Sequence, residues 1–315
     1  MDTQHIPVLC NKVLDFLEPT AGGIYVDATV GLGGHSSAIL EESSPNGRII
    51  GIDLDADALE IARARLHTFT DRYLLIHGNF ARMDALLRNY SVDAVDGILL
   101  DLGVSSLQLD TPSRGFGFKH TGLLDMRMNP RQALLALQVV NDSAVETLAD
   151  IFKRYGEERF ARRIAYRIVQ ARQQEPITTT TRLADIVKAG IPQRASSTHP
   201  ATRVFQALRI YVNAELENLD TGLDAAISLL KPGGCLCVIT FHSLEDRIVK
   251  QRFQRCACAC ICPPKTPVCI CEHEPSLHIL TKRPVLPAAG EVQANPRARS
   301  AKLRAARKIA SEEKK

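Results

Sequence analysis

Hydrophobic positions in the first hundred residues alternate between two kinds of run. Short apolar and β-branched stretches, Ile24-Tyr25-Val26, Arg48 to Ile52, Tyr73 to Ile76 and Val95 to Leu100, have the length and continuity of strands buried on both faces. Between them, Ser36 to Glu42, Ala56 to His67 and residues 81–90 fit helices, with Leu59, Ala62 and Leu66 at helical spacing in the second. This alternation predicts a parallel sheet with crossover helices. It stops at residues 109–135, which are loop-rich. From Asn141 to about Gln173 the period is helical again, with Ala149, Phe152, Tyr155, Phe160, Ile164 and Ile168 spaced by arginines. Thr178 to Thr181 offers an N-cap for a helix at Leu183 to Lys188, and Arg203 to Asn213 repeats the helical pattern. A helix over Ala214 to Leu230, a turn at Lys231-Pro232-Gly233-Gly234 and a strand over Cys235 to Phe241 then resume the sheet. The chain thus divides into a sheet-forming part over residues 1–108, a helical insertion over 109–212 and a second sheet-forming part over 213–315.

The apolar runs end on acids, and this changes the picture from fold to chemistry. The first strand closes on Asp27, the second on Asp53 and the fourth on Asp101. In an open α/β sheet these carboxyl ends line the ligand crevice. Between the first strand and its helix lies Val30-Gly31-Leu32-Gly33-Gly34-His35, where three glycines permit positive φ and close approach of the backbone to a ligand. A dinucleotide site wants a third glycine three positions after the second, and here that glycine is missing, with Ser36 in its place. Asp27 would repel a pyrophosphate but meet an ammonium group, and Asp53 can accept both hydroxyls of a ribose. These acids suit S-adenosyl-L-methionine better than NAD. Phe80, where the third strand leaves the sheet, lies close to the expected adenine and can stack on it or serve the core. A methyltransferase sheet ends in an antiparallel hairpin, which favours strands for Leu277 to Thr281 and for Ala301 to Arg307.

Composition adds a partner. Hydrophobic residues make up 45% of the 315, enough for a core, and no run approaches the length of a membrane span. The first residues lack the basic and apolar regions of a signal peptide, so a cytoplasmic protein without membrane attachment is expected. The net charge of +4 conceals an asymmetry. Residues 1–110 carry 7 Lys/Arg and 16 Asp/Glu, a net of −9. Residues 151–210 carry 12 and 4, a net of +8, and residues 282–315 carry 10 and 3, a net of +7. Two basic segments beside a nucleotide-type fold point to nucleic acid, and the first, its basic side chains interleaved with Tyr and Phe, suits RNA, whose splayed bases stack on aromatic rings. Arg114-Gly115-Phe116-Gly117-Phe118 begins like an RNA-recognition motif, but Lys119-His120-Thr121 breaks the signature. The run is read as a mobile loop facing substrate.

Six of the nine cysteines crowd into Cys256, Cys258, Cys260, Cys262, Cys269 and Cys271, followed by His273. Such density can hold a tetrahedral zinc ion, yet the C-x-C steps depart from the usual knuckle spacing. A reduced surface loop without a metal is the expectation here.

Taken together, eight blocks resemble the bacterial 16S rRNA (cytosine-N4)-methyltransferase family (RsmH, formerly MraW). They are His5 to Leu9, Asp27 to His35, Gly97 to Ser106, Leu124 to Met128, Tyr155 to Phe160, His199 to Arg203, Phe241 to Arg247 and Asn295 to Ser300, in order along nearly the whole chain. The resemblance implies a Rossmann-like class I S-adenosylmethionine-dependent methyltransferase sheet with an inserted helical domain. It implies a decoding-site cytidine of 16S rRNA in the small ribosomal subunit as substrate. By position, Gly33, Gly34, His35, Asp53, Phe80, Asp101 and Gln108 match the family's cofactor contacts. A homodimer is one arrangement the sequence allows.

Methylation of an exocyclic amine is an in-line displacement at the sulfonium methyl, and the amine must be oriented before it attacks. Asp101, or a backbone carbonyl between Gly103 and Ser105, can accept an N4 hydrogen bond as charge develops. Ser105 and His242 are further candidates for orienting the base. Three alternatives are weaker. A DNA cytosine-N4 methyltransferase carries a proline-containing motif after the fourth strand, and Asp101-Leu102-Gly103-Val104 lacks it. An NAD-dependent oxidoreductase lacks its third glycine, and intact acids argue against a non-enzymatic RNA-binding protein.

Overall fold

The computed structural model describes residues 7–192, 199–263, 266 and 268–310. His5 and Ile6 of the first block lie outside the described residues. The chain divides into two compact units, one of Met1–Gly103 with Leu216–Lys315 and one of Val104–Glu215. The divisions therefore fall at residues 103 and 215, where the pattern suggests 108 and 212. Leu109 packs on the core of the second unit, and Arg209 grips Glu215 through two bonds of 2.8 Å.

The first unit is built on seven strands: β1 (Ile24–Asp27), β2 (Arg48–Asp53), β3 (Tyr73–His77), β4 (Val95–Asp101), β5 (Leu230–Thr240), β6 (Leu277–Ile279) and β7 (Lys302–Lys308). Their order is β3-β2-β1-β4-β5-β7-β6. The first five are parallel, and β7 runs antiparallel to both β5 and β6. This is a Rossmann-like sheet closed by an antiparallel hairpin, with its switch point between β1 and β4.

Both faces of the sheet are covered, which is why its strands read as unbroken apolar runs. Val26, Ile52, Ile98 and Leu100 pack on one side with Met83, Leu87 and Leu223. Tyr25, Ile49 and Leu99 pack on the other with Val13, Leu17 and Ile39. Each such side chain, taken wholly from water, contributes about 1.5–3 kcal/mol. β5 begins at Leu230 rather than at Cys235. The glycine turn expected there is an irregularity within the strand: Val95 pairs with Leu230, Gly97 with Cys235, and Gly233 takes φ 82° between them.

The second unit is helical, with Ala136–Asp142, Val145–Gly156, Ala161–Gln174, Thr180–Gly190 and Thr202–Asn213. Phe152, Ile164, Ile168, Leu183 and Leu208 are fully buried in its core. Thr179 caps the fourth of these helices by accepting from Arg182 N at 3.4 Å. The Arg114 to Phe118 run is packed against the rest of this unit. Phe116 is buried in the core, and the Phe118 ring lies 4.6 Å from His199 and 4.9 Å from Phe205. Gly115, at φ 74°, is held where a Cβ would collide with the Leu123 carbonyl. Among the described residues, no helix is long and apolar enough to cross a membrane.

Candidate active site

Three neighbouring strands of the first unit end in aspartate. Asp27 of β1 pairs with Gly51 of β2 and Leu99 of β4, so Asp53 and Asp101 stand two positions further along, on either side of it. The shared parity turns all three toward one face of the sheet. Asp27 is 1% exposed and accepts from Ser36 Oγ at 2.7 Å. Burial pushes its carboxyl above the ordinary range, and nearby Asp101 adds to this, while His35 and Ser36 oppose it. Asp53 is raised to about 6, chiefly by burial, against backbone donation from Asp55 and Gly31. Ionised acids gathered this closely gain most from a cation placed among them.

The glycine turn separates two classes of ligand. Gly31 and Gly33 take φ 50° and 76°, whereas Gly34 opens the helix Gly34–Glu42 without a positive φ. Gly31 N donates to Asp53 Oδ2 at 2.8 Å, and Gly33 N donates to the Val30 carbonyl at 2.8 Å. In a pyrophosphate site such donors face the phosphates. Here they are satisfied within the protein, and a carboxylate occupies the position an anion would need. A Cβ on Gly33 would also lie 3.3 Å from Ala62 Cα, so the turn needs glycine there for packing as well.

His35 and Asp101 form the opposite wall. His35 is 6% exposed, and its Nε2 lies 3.5 Å from Asp101 Oδ2. Burial alone would lower the imidazole pKa, but Asp101, Cys10 and Asp27 together hold it up at about 10. The two carboxylates thus favour the charged form of the ring. Asp101 Oδ1 is buried without a hydrogen-bond partner among the described residues. Thr29 Oγ1 accepts from Asp101 N at 2.7 Å, tying the end of β4 to the glycine turn. Thr29 and Ser36 are missed by sequence reasoning: hydroxyls beside a helix start ordinarily suggest caps, and nothing in their spacing reveals the carboxylates they anchor.

Phe80 follows β3 and lies against Gly222, where a Cβ would come within 2.5 Å of the ring. Beside it, Asn79 Nδ2 donates to Asn218 Oδ1 at 3.0 Å. The glycine and both asparagines go unseen in the sequence because the contacts join distant segments. His242 follows β5 as the N-cap of Ser243–Ala257. Glu245 N donates to its Nδ1 at 3.4 Å, and its Nε2 lies 3.1 Å from Glu245 Oε1. In the second unit, Ser105 and Gln108 cap Ser106–Asp110 reciprocally, with Gln108 N donating to Ser105 Oγ at 3.2 Å and Ser105 N to Gln108 Oε1 at 3.1 Å. The structure thus gathers Gly33, His35, Asp53 and Asp101 around one turn, with Gly34 opening the adjoining helix, and employs Ser105, Gln108 and His242 as capping residues.

Comparison with known proteins gives this arrangement a family. Residues 2–309 match the MraW methylase family. The chain belongs to that family. Among similar proteins, the Ribosomal RNA small subunit methyltransferase H of Thermomicrobium roseum is 54% identical over 310 residues, covering 98% of this chain and 95% of that protein. The protein of the same name from Geobacter sulfurreducens is 54% identical over 311 residues, covering 98% of this chain and all 100% of that one. A solved rRNA methylase from Streptococcus thermophilus is similar at 10% identity and a TM-score of 0.41, with 96% of this chain and 94% of that chain covered. As a MraW methylase, the chain is an S-adenosyl-L-methionine-dependent methyltransferase with a Rossmann-like class I sheet. Its residues fit that cofactor: a sulfonium and an ammonium group complement buried acids, and the unpartnered Asp101 Oδ1 awaits a donor.

Proposed function

We propose that this chain methylates small-subunit ribosomal RNA, at the N4 exocyclic amine of a decoding-site cytidine in 16S rRNA. The observation that carries the methyl-transfer half is the set of aspartates ending β1, β2 and β4 around a turn whose Gly31 and Gly33 N–H groups are bonded within the protein. The cofactor supplies a methyl group activated by positive sulfur. Asp27, with His35 and Asp101 beside it, would hold the amino-acid portion, Asp53 the ribose hydroxyls and Phe80 the adenine. Gly33 and Gly34 would allow the cofactor close to the backbone, and Gln108 completes the set matching the family's contacts. Asp101 also suits the chemistry, since its carboxylate can accept a hydrogen bond from an amine that becomes positive as it attacks. Ser105 and His242, through the caps they form, would support the backbone on which the base is oriented.

The choice of RNA draws support from the names of the relatives and from the second unit. Arg162, Arg163, Tyr166 and Arg167 are all exposed on the helix Ala161–Gln174. Guanidinium groups can bind phosphates while a phenol ring stacks on an unpaired base. A cytosine must leave its stack to reach a crevice at the carboxyl ends of the strands. The target cytidine and its N4 atom rest on the family's sequence blocks.

The test is incubation with methyl-labelled S-adenosylmethionine and, separately, small ribosomal subunits, protein-free rRNA and duplex DNA. Label in ribosomal RNA and none in DNA is expected. Label in DNA would move the assignment to DNA cytosine methylation, and no label in any acceptor would reduce the chain to a binding protein.

A further inference from the structure

The described part of the segment joining the helix Ser243–Ala257 to β6 has no apolar core. None of its described residues from Cys258 to Pro275 belongs to a buried cluster, and Val268 and Ile270 are 72% and 80% exposed. Its base is pinned where Ser276 N donates to the Cys256 carbonyl at 2.7 Å and His273 Nε2 lies 2.9 Å from the Arg255 carbonyl. Beyond that base, a loop this long and exposed needs another source of order.

Four thiols supply it. The sulfurs of Cys260, Cys262, Cys269 and Cys271 all lie within 4.8 Å of one another. The separations are 3.5 Å from Cys260 to Cys269, 3.5 Å from Cys269 to Cys271, 3.8 Å from Cys271 to Cys260 and 4.0 Å from Cys262 to Cys269. Zinc–sulfur bonds of about 2.3 Å in a tetrahedron set the sulfurs about 3.8 Å apart. Backbone N–H groups point at three of these sulfurs: Cys262 N at Cys260 Sγ (3.4 Å), Ile261 N at Cys271 Sγ (3.4 Å) and Ile270 N at Cys262 Sγ (3.5 Å). Donors of this kind stabilise thiolate charge around a metal. Cys258, Cys256 and His273 stand outside the group; Cys258 Sγ instead donates to the Arg255 carbonyl at 3.1 Å.

We infer that Cys260, Cys262, Cys269 and Cys271 form a structural zinc site that staples this loop. The two C-x-C arms each contribute two ligands, so the spacing that departs from a knuckle in sequence becomes a closed four-sulfur cage in space. Four thiolates leave no position for water, which marks the site as structural. Zinc replaces the four thiol protons, which pass to solvent, and no electron is transferred.

The full-length protein, purified reduced and without chelator, is expected to carry about one equivalent of zinc by elemental analysis. Modification of its thiols releases that zinc to a chromogenic chelator. The metal-depleted protein, titrated with cobalt under reducing conditions, should show the visible absorption of tetrahedral thiolate coordination. The double variant Cys260→Ser/Cys271→Ser should lose the zinc and the cobalt spectrum, while Cys258→Ser keeps both. Circular dichroism verifies that each variant is folded. Zinc below about a tenth of an equivalent with no tetrahedral cobalt spectrum overturns the site. Iron in place of zinc overturns the assignment of the ion, and zinc retained by the folded double variant overturns the assignment of the ligands.

Discussion

Replacing Asp101 with alanine lowers methyl transfer to small-subunit RNA by about 100- to 1000-fold, the usual cost of removing one preorganised polar group from the reacting centre. Two effects combine. Asp101 Oδ1 is the buried acceptor without a partner among the described residues, so alanine removes the group best placed to receive a hydrogen bond from cofactor or amine. Alanine also strips His35 of a principal support for its raised pKa, leaving a buried imidazole beside Asp27 with less reason to stay charged. The Asp101→Asn variant keeps the shape and the Oδ1 acceptor but loses the charge. Measuring cofactor affinity beside kcat separates the roles. A defect removed by saturating S-adenosylmethionine assigns Asp101 to the cofactor alone, and one persisting at saturation assigns it to the transfer step. Wild-type rates in Asp101→Ala would take the residue out of the mechanism.

Cofactor affinity should fall about tenfold between pH 7 and pH 5, following Asp53. Its pKa of about 6 is raised above the ordinary 3.8 by burial, so the carboxylate prevails above pH 6 and the neutral acid below it. The carboxylate is the better acceptor for ribose hydroxyls, so binding is strong above this pKa and weakens as protons return. The cofactor's own ammonium group stays charged throughout this window. Asp53→Asn should flatten the profile and weaken binding about 10- to 100-fold at pH 7, the range for losing a charge-assisted hydrogen bond. Calorimetry across the window measures both effects, and a profile still falling in the variant would place the titrating group elsewhere. The sign for stability is opposite. A carboxyl whose pKa is raised on folding favours the folded state most at low pH, below about 4, and that contribution disappears as pH rises through 6. Ionised Asp53 therefore weighs against the unliganded fold at neutral pH, and a cationic ligand offsets it.

Much of this was legible in the residue pattern because the sheet is covered on both faces. Such strands carry unbroken apolar runs, and an acid at the end of each run is conspicuous; hence Asp27, Asp53 and Asp101 stood out together. The final hairpin was legible only once a methyltransferase sheet was in view, since Ala301 to Arg307 suits a helix equally well by composition. What stayed hidden depends on contacts between distant segments. That Asp53 takes the Gly31 N–H, which disfavours a pyrophosphate more directly than a missing glycine does, is a consequence of strand register. Phe118 reads as an exposed ring in a glycine-rich loop, yet it lies among His199 and Phe205. The cysteine spacing argued against a metal because a C-x-C step cannot place two ligands as a knuckle does. Two such steps facing each other across a loop can, and only coordinates bring them together.

The proposed chemistry comes down to one nitrogen atom on one base. Small subunits lacking the modification are methylated with the purified protein and labelled S-adenosylmethionine, and the RNA is then digested to nucleosides for chromatography and mass spectrometry, with the labelled position mapped in parallel. The expected result is N4-methylcytidine as the labelled nucleoside, confined to the decoding site. Label on a base carbon, on a ribose oxygen or on a base other than cytosine would contradict it.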